Sequence, residues 1–315
     1  MAFDDELGYD PSRPIDQDYT LSATQLISKT ISLWAGRIAH YILIVGVIST
    51  ASVAVSVVIL SAMFGLIGTI SADPVGYLIS FFMDPMSNLS LLAVSVGFAF
   101  VAFVLNAIVN GAAIKFTLDE YGGAGGDVGT SFSHSFSRLV NIIIVQIILG
   151  FIISVIMTPG TILAARALDM IDITDPFNPI IQPGALELMM LAMVLLLVGG
   201  IFLIYIQVRF LATYAVVIDS DLSAITSLKR SWELTSGNFF HVFGSYILLV
   251  LAVGVLGLIV NFGLTFIFLP VSYSLVIESL IIALLFSSLT YIFTAVLYRD
   301  LASRKGTSDL PDYVL

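Results

Sequence analysis

Residues 242–268, VFGSYILLVLAVGVLGLIVNFGLTFIF, hold no Asp, Glu, Lys or Arg. About 20 mainly apolar residues in a helix cross the hydrocarbon core of a bilayer. A strand of a membrane barrel would alternate over about 10 residues, and this stretch does not. Five more segments read the same way, near 39–67, 90–117, 139–165, 187–217 and 272–298. The sequence therefore predicts an all-α, polytopic membrane protein with six transmembrane helices. Several segments exceed the minimum, which implies tilt or extension past the bilayer. The fifth and sixth are separated only around Pro270, a helix breaker, so they form a tight hairpin.

Composition agrees. The chain has 315 residues, 58% hydrophobic and 11% charged, against about 25% charged in soluble domains. That excludes a large soluble catalytic domain. There is no cysteine, hence no disulfide, thiolate metal site or thiol nucleophile. His40, His134 and His241 are too far apart in sequence for a local metal motif. No metal or cofactor is expected. The net charge is −10, with no basic patch suited to nucleic acid. Residues 1–19 are acidic and polar, without the apolar core of a signal peptide, and read as a flexible tail. The membrane domain is placed at 20–305, with a second tail at 306–315.

The bases orient the spans. With the N-terminus inside, eleven of the twelve Lys and Arg fall on the cytoplasmic side, and only Arg166 falls outside. The loop 68–89 and the turn at 270 contain none. The positive-inside rule puts both termini in the cytoplasm of a cell-membrane protein.

An internal repeat accompanies the spans. LSATQLISKTISLWAGRIAH at 21–40 aligns with LSAITSLKRSWELTSGNFFH at 222–241. Leu21/Leu222, Ser22/Ser223, Ala23/Ala224, Leu33/Leu234, Gly36/Gly237 and His40/His241 are identical. A weaker copy, VGTSFSHSFSRLVN, occupies 128–141. The predicted unit is an interfacial helix followed by a hairpin of two spans, repeated over about 20–117, 128–217 and 222–298. In the first copy Leu26, Ile27, Ile31, Leu33 and Trp34 share a face, and in the third Ile225, Leu228 and Trp232 do. Such helices are expected to lie flat, with Trp at headgroup depth and bases facing phosphates. Gly36 and Gly237 then mark the elbows. Lys29, Trp34, Gly36, His40, Arg138, Lys229, Arg230, Trp232, Gly237 and His241 are the candidate contacts to lipid or to a partner protein. His40 and His241 would approach each other if the repeats packed around an axis.

Residues 219–241 resemble a signature of the membrane domain associated with glycerophosphoryl diester phosphodiesterases and of related uncharacterised six-helix proteins. Ala224, Leu228, Arg230, Ser231, Trp232, Leu234, Thr235, Gly237 and Phe239 carry the match, and the layout over 20–305 agrees. In that family hydrolysis belongs to a separate soluble barrel, which this chain lacks. The resemblance therefore implies the architecture and not the activity.

Polar residues inside spans are the remaining candidates. They are Asn106, Asn110, Gln146, Asn261, Glu278, Ser287, Tyr291 and Thr294, with Gln207 near the inner end of the fourth span. Asn, Gln, Ser and Thr also bridge helices for purely structural reasons. No catalytic residue is assigned. The leading reading is an integral membrane protein without its own catalytic domain, a scaffold or lipid-interacting module. Membrane lipids are its partners, with a protein partner or a second copy as further options. A permease is the alternative, drawn from the polar residues. A membrane enzyme of lipid metabolism is the third, resting on Asp119, Glu120, His134, Asp219, Asp221, Glu233 and His241, which no local spacing joins.

Overall fold

A computed structural model describes residues 20–56, 89–172, 180–266 and 271–305. The expected tails, the end of the first span at 57–67 and Pro270 lie outside the described residues. The fold is helical, and among the described residues six helices are long and apolar enough to cross a membrane. The chain is an integral membrane protein. The only strand pairing among the described residues is two residues long, Ile171–Asp172 against Ile180–Ile181.

The first helix, α1 (Ala23–Gly36), starts at Ser22, whose hydroxyl accepts the Gln25 N–H while the Gln25 side chain accepts the Ser22 N–H. This reciprocal cap satisfies two otherwise orphaned donors. Span α2 (Ile38–Ser56) follows, with a π-helical turn at Ile42–Gly46. Helix α3 covers Leu89–Tyr121 and α4 Val128–Asp169. Asp127 caps α4 by accepting the Thr130 N–H at 2.8 Å. The fourth span is broken into α5 (Ala185–Phe210) and α6 (Thr213–Asp219). Helix α7 (Ala224–Thr235) is capped by Ser223 and leads to α8 (Phe239–Phe266). The sixth span is also broken, into α9 (Val271–Leu285) and α10 (Leu289–Lys305).

Burial is uneven along the bundle. The core consists of Ala107–Leu118 of α3, Ile142 and Val145 of α4, nearly all of α6, and most of α10 from Leu289 to Ala302, with Leu26, Tyr41 and Ile44 from the first segment. The outer parts of α3, α4, α5 and α8 expose Phe100, Phe151, Met193, Leu197, Leu258 and Phe262. One end of the bundle, which carries most of the basic residues, is therefore packed. The other end presents apolar side chains outward, as a surface facing hydrocarbon does.

Three expectations change here. Helix α1 does not lie flat. Leu21 meets Asp300 and Arg304 near the end of α10, while Trp34 reaches Leu285 just before its start, so α1 runs antiparallel along α10. Its apolar stripe faces protein, and the Trp34 indole N–H donates to the Leu285 carbonyl at 2.9 Å with the ring against Phe286. The segment 128–141 is no separate elbow helix, being the first part of the unbroken α4. Of the two elbow glycines, Gly237 has a φ of 85°, whereas Gly36 is the last residue of α1, and a Cβ there would meet no atom within 4 Å.

The two glycines therefore give opposite predictions. Gly237→Ala forces an L residue into the left-handed region and should cost about 1–2 kcal/mol. Gly36→Ala should leave stability unchanged or raise it by up to about 1 kcal/mol. Thermal unfolding of the two purified variants in one detergent checks the contrast.

Candidate functional site

A cavity of about 760 Å³ opens where the packed end gives way to the end with exposed apolar side chains, between α3, α4, α5, α6 and α10. Its volume falls in the range of small-molecule sites, roughly 300–1,000 Å³. Its lining is graded along each helix. On α3 the apolar Ala99, Ala102 and Phe103 precede Asn106 and Asn110. On α4, which runs the other way, Gln146 comes first and Leu149, Gly150 and Ile153 follow. On α5, Leu203 and Ile206 lie outward of Gln207, and Tyr214 of α6 lies beyond. Thr290, Tyr291 and Thr294 complete the wall from the start of α10. The amides and hydroxyls thus collect toward the packed, basic end, and the apolar part faces the end that exposes apolar side chains. From Asn110 to Ala99 the helical rise amounts to about 16 Å.

Both breaks in the spans border this cavity. The break between α5 and α6 leaves the Arg209 carbonyl without a helical partner. Ser231 and Thr235 of α7 donate their hydroxyls to it at 3.0 and 3.3 Å. The break between α9 and α10 places Thr290 and Tyr291 at the cavity wall, and Trp34 satisfies the Leu285 carbonyl. Arg209 itself turns away. Its guanidinium carbon lies 5.3, 4.8 and 5.5 Å from the ring centres of Tyr205, Trp232 and Phe239, a cation–π arrangement.

The hydrogen bonding of the cavity is incomplete. Gln146 Nε2 approaches Asn106 Oδ1 at 3.5 Å, and Gln207 Nε2 donates to the Tyr246 hydroxyl at 2.9 Å. The carbonyl oxygens of Asn110 and Gln146 are buried without a partner, and Asn110 as a whole is only 5% exposed. An unpaired buried acceptor costs about 1–3 kcal/mol.

Five of the intramembrane candidates, Asn106, Asn110, Gln146, Tyr291 and Thr294, therefore share one site. The other three do not join it. Asn261 Nδ2 donates to the Glu278 carboxylate between α8 and α9, and the Ser287 hydroxyl donates to the Ala283 carbonyl at the helix break. Sequence reading missed Tyr214 and Thr290 as lining residues. The signal was present, since Gln207, Phe210, Leu211 and Tyr214 follow the 3-1-3 spacing of one helix face.

The elbow candidates disperse. Lys29 lies over the Tyr121 ring, and His40 stacks on Phe116 rather than meeting His241. Arg138 pairs with Asp221, and Arg230 with Glu233 at 3.5 Å. His241 Nε2 lies 2.9 Å from Asp300, a buried carboxylate that also accepts the Leu21 N–H at 2.6 Å and Arg304 Nε at 2.9 Å. Lys229 and Trp232 are exposed and line a shallow groove with Phe210, Leu228 and Glu233. Ile225 on the same helix is 70% exposed. The seven groups of the enzyme reading are each engaged in separate pairs, such as Asp119 with Lys115, Asp219 with Tyr298 and His134 with the Ile218 carbonyl. Among the described residues no three His, Asp or Glu gather as metal ligands.

Residues 126–301, more than half of the chain, match the family described as Domain of unknown function (DUF7847). No curated protein and no solved structure matches the chain.

Proposed function

The chain belongs to the DUF7847 family, whose function is unknown, so the site has to speak for itself, and we propose that the protein binds an amphiphilic lipid in its membrane-depth cavity. The carrying observation is the pair of buried, unpartnered carbonyl oxygens of Asn110 and Gln146 at the polar end of a cavity whose other end is apolar. A fold retains such groups against their cost when a ligand completes them. The polar part of the lipid sits against the amides and its chain extends along the apolar lining, past Phe103 and Ile153. In this reading both termini are cytoplasmic, as the basic residues indicate, and the polar end of the cavity faces that side. The exposed Ile225, Lys229 and Trp232 face of α7 rests at the membrane surface. The resemblance of residues 219–241 to the phosphodiesterase-associated membrane domain is compatible with a lipid-interacting role. The matching serine caps of α1 and α7 favour descent of the two segments from one repeated unit.

Gly150 supplies the test. It lines the apolar part of the cavity, and a Cβ there meets no atom within 4 Å. Gly150→Phe should fill the cavity without disturbing the backbone. Native mass spectrometry of protein extracted from its own membrane should show a retained lipid on the parent and at least a several-fold loss on Gly150→Phe. Equal retention by both would sink the proposal.

A second reading, a permease, has its own observation. Broken helices flanking a mid-membrane site are a feature of secondary transporters, and both breaks here border the cavity. Solute flux into protein-loaded vesicles, absent from Gly150→Phe vesicles, would favour it over retention of a lipid.

A further inference from the structure

The lipid reading leaves the class of headgroup open, and the lining narrows it. Among the described residues, none that lines the cavity is Asp, Glu, Lys, Arg or His. The nearest base in sequence, Arg209, is held on another side of α5 by three aromatic rings. The bases of the packed end are largely committed to acids of that end: Arg37 to Glu120, Lys115 to Asp119, Arg138 to Asp221, Arg299 to Asp219 and Arg304 to Asp300. A phosphate entering this site would therefore lose its water and gain no counter-charge, which is strongly unfavourable in a low-dielectric interior. The lining does offer neutral partners. The Asn110 and Gln146 carbonyl oxygens need donors, and the hydroxyls of Thr290, Tyr214 and Tyr291 can both donate and accept, while that of Thr294, which donates to the Thr290 carbonyl, can still accept.

Resting on the lipid-binding reading above, we propose that the cavity selects an uncharged amphiphile whose headgroup is a free hydroxyl, and discriminates against phospholipids. A hydroxyl gives its proton to a buried carbonyl oxygen and accepts one from a threonine or tyrosine in return. An ester or ether headgroup accepts only and leaves Asn110 unpaired. Site and ligand together then satisfy what the protein alone does not.

The experiment uses the full chain in nanodiscs of phosphatidylglycerol and a photoreactive dioleoylglycerol. The expected result is labelling of peptides from α3 to α6, competed by unlabelled dioleoylglycerol. Competition by the analogue whose hydroxyl is capped as a methyl ether should be weaker by about ten-fold, the loss of roughly one hydrogen bond to a buried acceptor. Photoreactive phosphatidic acid with the same chains should label these peptides weakly. Asn110→Leu should lose labelling while its unfolding temperature stays equal or rises, because it removes an unpaired buried acceptor. A residue of merely structural value would lose both together. Preferential labelling by phosphatidic acid, or equal competition by the methyl ether, overturns the hydroxyl assignment and leaves lipid binding standing. Absence of cavity labelling by either probe overturns lipid binding as well. The methyl ether comparison needs no variant, so it decides the point even if Asn110→Leu does not fold.

Discussion

Replacing Asp300 with alanine should abolish stable assembly of the packed end, with a loss of about 3–5 kcal/mol, the range for removing one partner of a buried ion pair. The side chain is completely buried. Its two oxygens accept from the Leu21 N–H, His241 and Arg304, which belong to three different segments. Arg304 also donates to the Leu21 carbonyl. One carboxylate thus fastens the start of α1 to α8 and α10. Alanine would leave the Leu21 N–H and Arg304 Nε without their acceptor. Asp300→Asn keeps one acceptor oxygen and should fall between alanine and the parent. His241→Ala removes a single contact and should cost least, about 1 kcal/mol. Thermal unfolding, together with the monodisperse fraction on size exclusion, ranks the three. An Asp300→Ala protein that unfolds at the parent temperature would show the latch to be dispensable.

Asp300 also shows where sequence reading stops. It stands in YRDLASRK, between bases at a helix end, and nothing local separates it from a solvated acid. Its burial arises because α1 folds back along α10, a tertiary event. The spans were legible because hydrocarbon imposes a length and a composition that any six such segments must meet. The helix starts at Ser22, Asp127 and Ser223 follow local chemistry of short polar side chains. Half of the cavity was legible too, since amides in apolar spans have few harmless places to go. The two breaks were not. Neither Phe210-Leu211-Ala212 nor Phe286-Ser287-Ser288 contains Pro or Gly. Each break persists because a distant side chain satisfies the carbonyl beside it, Ser231 and Thr235 at one and Trp34 at the other. The position of Trp34 could not be read for the same reason. An amphipathic helix presents one apolar stripe to a membrane surface or to a protein groove alike, and only the availability of α10 decides between them.

The break in the sixth span carries the second large prediction. A Cβ at Gly46 would lie 2.2 Å from the carbonyl oxygen of Leu284 and 3.1 Å from its carbon. Those are backbone atoms and cannot rotate aside, so any side chain at 46 must part α2 from α9. Gly46→Leu should therefore cost at least the roughly 1–3 kcal/mol typical of overpacking, and Gly46→Ala a smaller part of it. The displaced atoms matter beyond stability. Leu284 adjoins Leu285, whose carbonyl holds Trp34, and Phe286 packs on the same indole. Four residues beyond Phe286 the chain becomes the cavity wall at Thr290 and Tyr291. Gly46→Leu should thus reduce lipid retention although residue 46 does not line the cavity. Trp34 and Trp232 are the two tryptophans of the chain. In a Trp232→Phe background, emission therefore reports the Trp34 environment alone, and Gly46→Leu should shift it to the red. Gly254→Leu is the control, because a Cβ there meets no atom within 4 Å, and it should leave stability, emission and retention unchanged. If Gly46→Leu behaves like Gly254→Leu in all three, the close crossing of α2 and α9 does not hold the break in place.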